Sequence, residues 1–303
     1  MKPLRSIKVS PVHDGPLKPG RLDRREWALT LPTIIWLVLL FAVPTALVFL
    51  IALRPANPAG GIGEGWTLAT LKDLMQPAYP AIIWRTVWLS VVATAICLGL
   101  ALPVAYYLAR LSRRSRQWVL LLVILPFWSN FLIRIFAWRT VLHPDGWLKQ
   151  GLVFLRLMPE DATLLYNSGA ILLVLVYTYL PFAILPLYAA AEKFDFALLE
   201  AARDLGAKRF RAWCTVFLPG VSRGLLTALL VVLIPALGSY AIPDLVGGPG
   251  SEMIGNKIAQ RVFSDRNLPH AAGLSALLAM AVMVPVIVML LARRDESKGG
   301  GRP

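Results

Sequence analysis

About six runs of roughly 20 mostly apolar residues, parted by short charged segments, leave this chain few ways to fold. They cover about residues 27–53, 83–108, 118–138, 169–191, 224–246 and 271–291. At that length a helix crosses the apolar part of a bilayer while satisfying its backbone N–H and C=O groups within one segment. A membrane barrel would instead show short segments of alternating polarity, and the sequence has none. Charged residues make up only 16% of the 303. The expected class is therefore all-α: a polytopic membrane protein with about six transmembrane helices.

The basic residues set the orientation. Residues 1–26 carry Lys2, Arg5, Lys8, Lys18, Arg21, Arg24 and Arg25, without a signal-peptide pattern. The loop after the second run holds Arg110, Arg113, Arg114 and Arg116 with no acid, and the tail 293–303 opens on Arg293-Arg294. The loops near 54–79 and 139–167 balance acids against bases. By the positive-inside rule both tails are cytoplasmic, and so is the segment 192–219. The loop after the fifth run sets Lys257, Arg261 and Arg266 against Glu252 and Asp265, which argues weakly for either side. Orientation and anionic lipid account for the net charge of +14 better than nucleic acid does.

Several chemistries are excluded. There is no Gly-Lys dipeptide, hence no phosphate-cradling P-loop, and no nucleophile elbow, zinc helix or carboxylate pair. His13, His143 and His270 are scattered, and Cys97 and Cys214 have neither disulfide nor metal-ligand spacing. The chain reads as non-catalytic, with no metal and no cofactor of its own.

The cytoplasmic segment 192–219 is the one interruption with strong helical character. Asp195 suits an N-cap, Ala197 to Arg203 are good helix formers, and Gly206 suits a left-handed C-cap. A second short helix is expected, with Lys208, Arg209 and Arg211 outside and Phe210 and Trp213 on its apolar side. Most charged loops between spans are merely solvated. Here the spacing is distinctive: Glu200-Ala201-Ala202, three residues, Gly206, nine residues, then Val216, one residue and Leu218-Pro219. It resembles the EAA signature of the membrane subunits of binding-protein-dependent ABC importers, with Val216 where that family most often has Ile. The resemblance implies that Glu200, Ala201, Ala202, Arg203, Asp204, Gly206 and Ala207 form a coupling helix that docks on an ATPase subunit.

A second resemblance lies in the stretches 125–138, 179–188, 234–238 and 242–249, and in Met253-Ile254-Gly255. These are similar to spermidine/putrescine-type permeases. The resemblance implies the type I ABC importer permease fold in a bacterial cytoplasmic (inner) membrane. It also implies a second homologous permease, two ATPase copies that use ATP and Mg, an extracytoplasmic solute-binding protein, and a polyamine as cargo. One departure stands out: Ser239-Tyr240 follows Gly238 where such permeases usually have Glu-Phe, which opens the alternative of an amino-acid derivative, an opine or a phosphonate. A self-sufficient secondary transporter fits less well, because the span centres lack acids and show no repeat.

Candidate path residues are those whose chemistry suits a desolvated cation or whose polarity is out of place in a span. Trp128, Tyr177, Tyr179 and Tyr240 offer aromatic faces and Asp244 a carboxylate. Asn130 and Ser239 are polar within apolar runs, with interhelical hydrogen bonding as the plainer role for Asn130. Arg134 is an intramembrane charge, a functional candidate by default, although its place near the outer end also permits snorkelling.

Overall fold

The computed structural model describes residues 24–58, 60–76 and 78–299. Most of the expected basic arm at 1–26 lies outside the described residues. The chain divides into two compact units at Leu47. The first contains Arg24–Leu37 (α1) and a π-helical turn at Val38–Ala42, and Val43–Ala52 (α2) begins within it. Pro44 cannot donate to the helix ladder, and a widened turn next to it is the usual accommodation. Apolar side chains such as Trp36 and Phe41 stand exposed in this unit, as lipid contact or a partner helix requires.

The second unit holds the remaining helices: Ala69–Asp73 (α3), Ala78–Arg110 (α4), Arg113–Ile124 (α5), Phe131–Val141 (α6), Trp147–Phe154 (α7) and Ser168–Glu192 (α8). They continue with Ala197–Asp204 (α9), Arg209–Ala212 (α10), Leu218–Gly220 (α11), Ser222–Leu237 (α12), Ala241–Val246 (α13), Ile254–Phe263 (α14) and Leu268–Gly299 (α15). Its centre is the three-way packing of α4, α8 and α12. The sequence shows why these three meet. On α4, Ala93, Cys97, Ala101 and Ala105 recur every fourth residue and are buried; on α12, Gly224, Ala228, Val232 and Ala236 do the same. Between helices in lipid, small residues permit the close approach that replaces a hydrophobic driving force.

Gly224 marks a close crossing of α12 on α8, because a Cβ there would overlap Ala190 and lie 3.0 Å from the Pro186 carbonyl oxygen. Gly224→Val is expected to cost about 1–3 kcal/mol by overpacking. A lowered thermal midpoint of the detergent-solubilised protein checks this. An unchanged midpoint refutes the close crossing.

Three described helices are long and apolar enough to cross a membrane: Thr30–Ala52, Tyr79–Arg110 and Ser168–Glu192. The sequence leads one to expect single spans over 118–138 and 224–246, kinked where Pro126, Pro235 and Pro243 fall; the structure goes further and breaks them. The first is a bent pair, Arg113–Trp128 and Phe131–Val141, at 90°. Leu125–Trp128 tightens into a 3₁₀ turn at Pro126, Ser129 is extended, and the Asn130 side chain accepts from the Leu132 amide at 2.8 Å to start a new helix. Asn130 is thus an N-cap, not the interhelical link expected of it. In the second, α12 ends at Leu237 and α13 begins only at Ala241.

Candidate functional site

Two places carry the candidate residues: the charged elbow and the pair of helix breaks. The elbow is built from its caps inward. The Asp195 carboxylate accepts from the Ala197 amide at 3.0 Å, although Phe196, one residue later, occupies the boundary position itself. At the far end Gly206 has φ +90°. The Ala207 amide donates to the Ala202 carbonyl at 3.1 Å and the Gly206 amide to that of Arg203 at 2.9 Å. This is the paired 6→1 and 5→2 pattern of a Schellman cap, which satisfies two otherwise orphaned carbonyls. A Cβ at Gly206 would meet open space, so only the positive φ demands glycine there.

Leu199 is the buried anchor of α9, and Ala202 and Ala207 are half-buried. Glu200, Ala201, Arg203, Asp204 and Gly206 are exposed. No ion pair among the described residues includes Glu200, Arg203 or Asp204, so the local pairs that their i,i+3 and i,i+4 spacing permits do not form. The second short helix also differs from expectation. Phe210 is 77% exposed, and Ala212 takes the buried position instead.

The sequence reading missed what the elbow rests on. Phe217 is fully buried, with ring centroids of Tyr106 at 5.1 Å, Phe194 at 5.3 Å, Trp213 at 5.8 Å and Phe196 at 6.3 Å. The Tyr106 and Phe194 rings meet it edge-to-face, a geometry that adds to simple burial. The signal was present in the Phe-Asp-Phe triplet 194–196 around the cap and in the aromatic between Val216 and Leu218. Beside this platform Arg116 pairs with Glu192 at 2.9 Å, which ties the start of α5 to the end of α8.

At the helix breaks the candidates separate into buried and exposed groups. Tyr179 is buried, and its hydroxyl donates to the Pro235 carbonyl at 3.2 Å; Ser239 is buried next to it and also hydrogen-bonds its side chain. Tyr177 stacks edge-on against Trp138 at 5.2 Å. The Arg134 guanidinium lies 4.9 Å from the Phe127 ring centroid, and that ring packs on Phe182 at 4.9 Å. The Arg134 guanidinium thus lies over an aromatic face within the protein. Trp128 (80%), Tyr240 (50%) and Asp244 are exposed. Asp244 sits in the first turn of α13, and the Gly248 amide bonds the Ser251 hydroxyl at 3.3 Å, so the glycine-rich turn is closed without Asp244. The two post-break helices α6 and α13 pack together.

The comparisons with known proteins fit this architecture. Residues 101–294 match the family described as binding-protein-dependent transport system inner membrane component. The chain is 35% identical over 253 residues to the spermidine/putrescine transport system permease protein PotB of Haemophilus influenzae, covering 82% of this chain and 88% of that protein. It is 32% identical over 263 residues to PotB of Escherichia coli, covering 87% and 96%. Among solved structures, a bacterial ABC transporter involved in the import of the acidic polysaccharide alginate aligns with TM-score 0.67 at 20% identity, over 89% of this chain and 96% of that one. The likeness shows the type I permease fold. With the family match spanning the bent helices, the elbow and α15, the chain belongs to the binding-protein-dependent transport system inner membrane components, the non-catalytic membrane subunits of ABC importers.

Proposed function

We propose that this chain forms one half of the translocation path of an ATP-driven polyamine importer and receives its drive through the elbow 192–219. The observation that carries the coupling role is the exposed Glu200, unpaired among the described residues, on a helix that also leaves Leu198 and Leu205 53% and 90% exposed. A free carboxylate on a rigidly capped helix that also bares apolar side chains suits burial in a partner's cleft. The partner is an ATPase, two copies per transporter, which uses ATP and Mg; ATP-driven closure pulls the elbows together and turns the cavity between two homologous permeases outward. An extracytoplasmic protein delivers the solute, as in the related alginate transporter, which was solved with a substrate-bound periplasmic protein. The setting is a bacterial inner membrane, with both tails and the elbow inside.

The names of the PotB relatives support a polyamine as cargo. Within the chain, Asp244, Tyr240 and Trp128 are the exposed acid and aromatic faces at the breaks, the groups that replace water around a multivalent cation. Ser239 is buried and hydrogen-bonds Tyr179 instead. Ser239 is also what favours a second reading, another small solute such as an amino-acid derivative, because the class usually has an acid there. Reconstitution with the partner permease, ATPase and binding protein separates the two. Spermidine uptake should require ATP, and Asp244→Asn should raise the transport KM about three- to tenfold, the worth of one partly solvated charged contact. ATP-independent uptake would remove the importer reading. Exclusive binding of another solute by the binding protein would remove the polyamine.

A further inference from the structure

The loop 139–167 balances acids against bases over its length, yet the helix inside it, α7, is apolar on both sides. Leu148 and Leu152 are half-buried, and Leu148 packs on the bundle core. The other side is bare: Trp147 is 69% exposed and Phe154, two turns on, 87%. Leu155 and Leu157, where the helix ends, are 62% and 72% exposed. From Gly146 to Met158 there is no acid, and no ion pair among the described residues uses Lys149 or Arg156. The Leu157 amide donates to the Leu152 carbonyl at 2.9 Å and the Arg156 amide to that of Val153 at 2.9 Å, the double cap that also closes α9. In α9 a glycine fills the left-handed position; here Arg156 is held in it at φ +57°, against the preference of a residue with a Cβ. The joint to α6 is tight as well. A Cβ at Gly146 would lie 2.9 Å from the His143 carbonyl oxygen and 3.0 Å from that of Val141, so the turn closes directly over the end of α6.

We infer that α7 lies in the lipid–water interface, with Trp147, Phe154, Leu155 and Leu157 among the upper acyl carbons and Arg156 at a headgroup phosphate. Tryptophan, aliphatic side chains and unpaired cations without an acid are the composition of a helix that rests on a membrane. A solute-binding protein that comes and goes is a poorer occupant. Interfaces that form and part are about as apolar as the rest of a protein surface, and this face would stand in water between visits. Arg156 separates lipid from a permanent apolar partner, which would have to desolvate an unpaired guanidinium, whereas a phosphate matches it in charge and geometry. The consequence falls on the bent pair. Its second arm, α6, turned 90° from the first, is held at its far end by lipid, a fixed point beyond the break at Ser129-Asn130.

The test is spin labelling of the full chain, carrying Cys97→Ala and Cys214→Ser, in vesicles of mixed phosphatidylcholine and phosphatidylglycerol with a water-soluble nickel chelate on both sides. A nitroxide at Phe154→Cys or Leu157→Cys should be open to dissolved oxygen and shielded from the chelate, at a depth of about 5–10 Å. One at Glu160→Cys, exposed in the same loop, should show the reverse. Trp147→Ser with Leu155→Ser, both at exposed positions, should raise chelate access at Phe154→Cys about tenfold while the thermal midpoint holds. Arg156→Gly gives the cap its natural residue, so α7 stays helical and the cation alone is tested; access should still rise about fivefold. Equal chelate access at Phe154→Cys and Glu160→Cys overturns the proposal. So does a label that is open to the chelate in the chain alone and becomes shielded only when a second permease or a solute-binding protein is added. The readout needs no ATPase, cargo or orientation, so it stands or falls separately from the importer reading.

Discussion

Phe217→Ala should loosen the elbow and lower the protein's stability by about 3–5 kcal/mol, the range for removing a fully buried ring. Phe217 has no exposed surface and touches rings from α4, from the segment before α9 and from its own π turn. Its removal therefore opens a void where three chain segments meet. With the elbow outside the bilayer, as proposed, the transfer of apolar surface from water counts in full. Thermal unfolding in detergent should show a lowered midpoint, and amide exchange over 197–213 should accelerate before the α4–α8 core does. Phe154→Ala, at a side chain 87% exposed, is the control and should change stability by less than about 0.5 kcal/mol. Uniform acceleration across the whole chain would mean that Phe217 supports the bundle at large and not the elbow.

How much of this was legible in the sequence depends on the kind of signal. The long helices were, because apolar length and the polar groups of the backbone admit only one solution in lipid. The elbow was too: Gly206 has the positive φ that its place after Arg203-Asp204-Leu205 calls for. The breaks at Ser129-Asn130 and Gly238-Ser239-Tyr240 were not. Hydropathy averages over a window, and a 90° bend costs it nothing when both arms stay apolar. Pro126 followed by Ser129-Asn130 did contain the information, since a missing donor and a capping side chain end one helix and start another. The aromatic platform was illegible for a different reason. Tyr106 and Phe217 are more than a hundred residues apart, and nothing local says that they touch. The same holds for the candidate path residues, where burial separates Tyr179 and Ser239 from Tyr240 and Asp244 although both pairs looked alike in sequence.

Glu200→Gln should reduce ATP-driven uptake ten- to a hundredfold while leaving membrane level and thermal midpoint near those of the parent. The size follows from a charge-assisted hydrogen bond, about 1.5–3 kcal/mol when its partner is left buried. The absence of a structural effect follows from the surroundings of Glu200. Glu200 is exposed, pairs with no cation among the described residues, and its only stake in the fold is the favourable end of the α9 dipole, about 0.3–1 kcal/mol. Asp161→Asn removes an equal, exposed charge outside the elbow. It should leave uptake within about threefold. ATPase activity of the reconstituted complex discriminates further: loss of grip at Glu200 leaves hydrolysis running without transport, whereas loss of assembly removes both. If Glu200→Gln keeps uptake within about twofold, the carboxylate is a helix-end acid and nothing more. The grip would then have to come from the exposed Leu198 and Leu205 alone, and Leu205→Asp, which puts a charge into that apolar contact, would be the variant that stops transport.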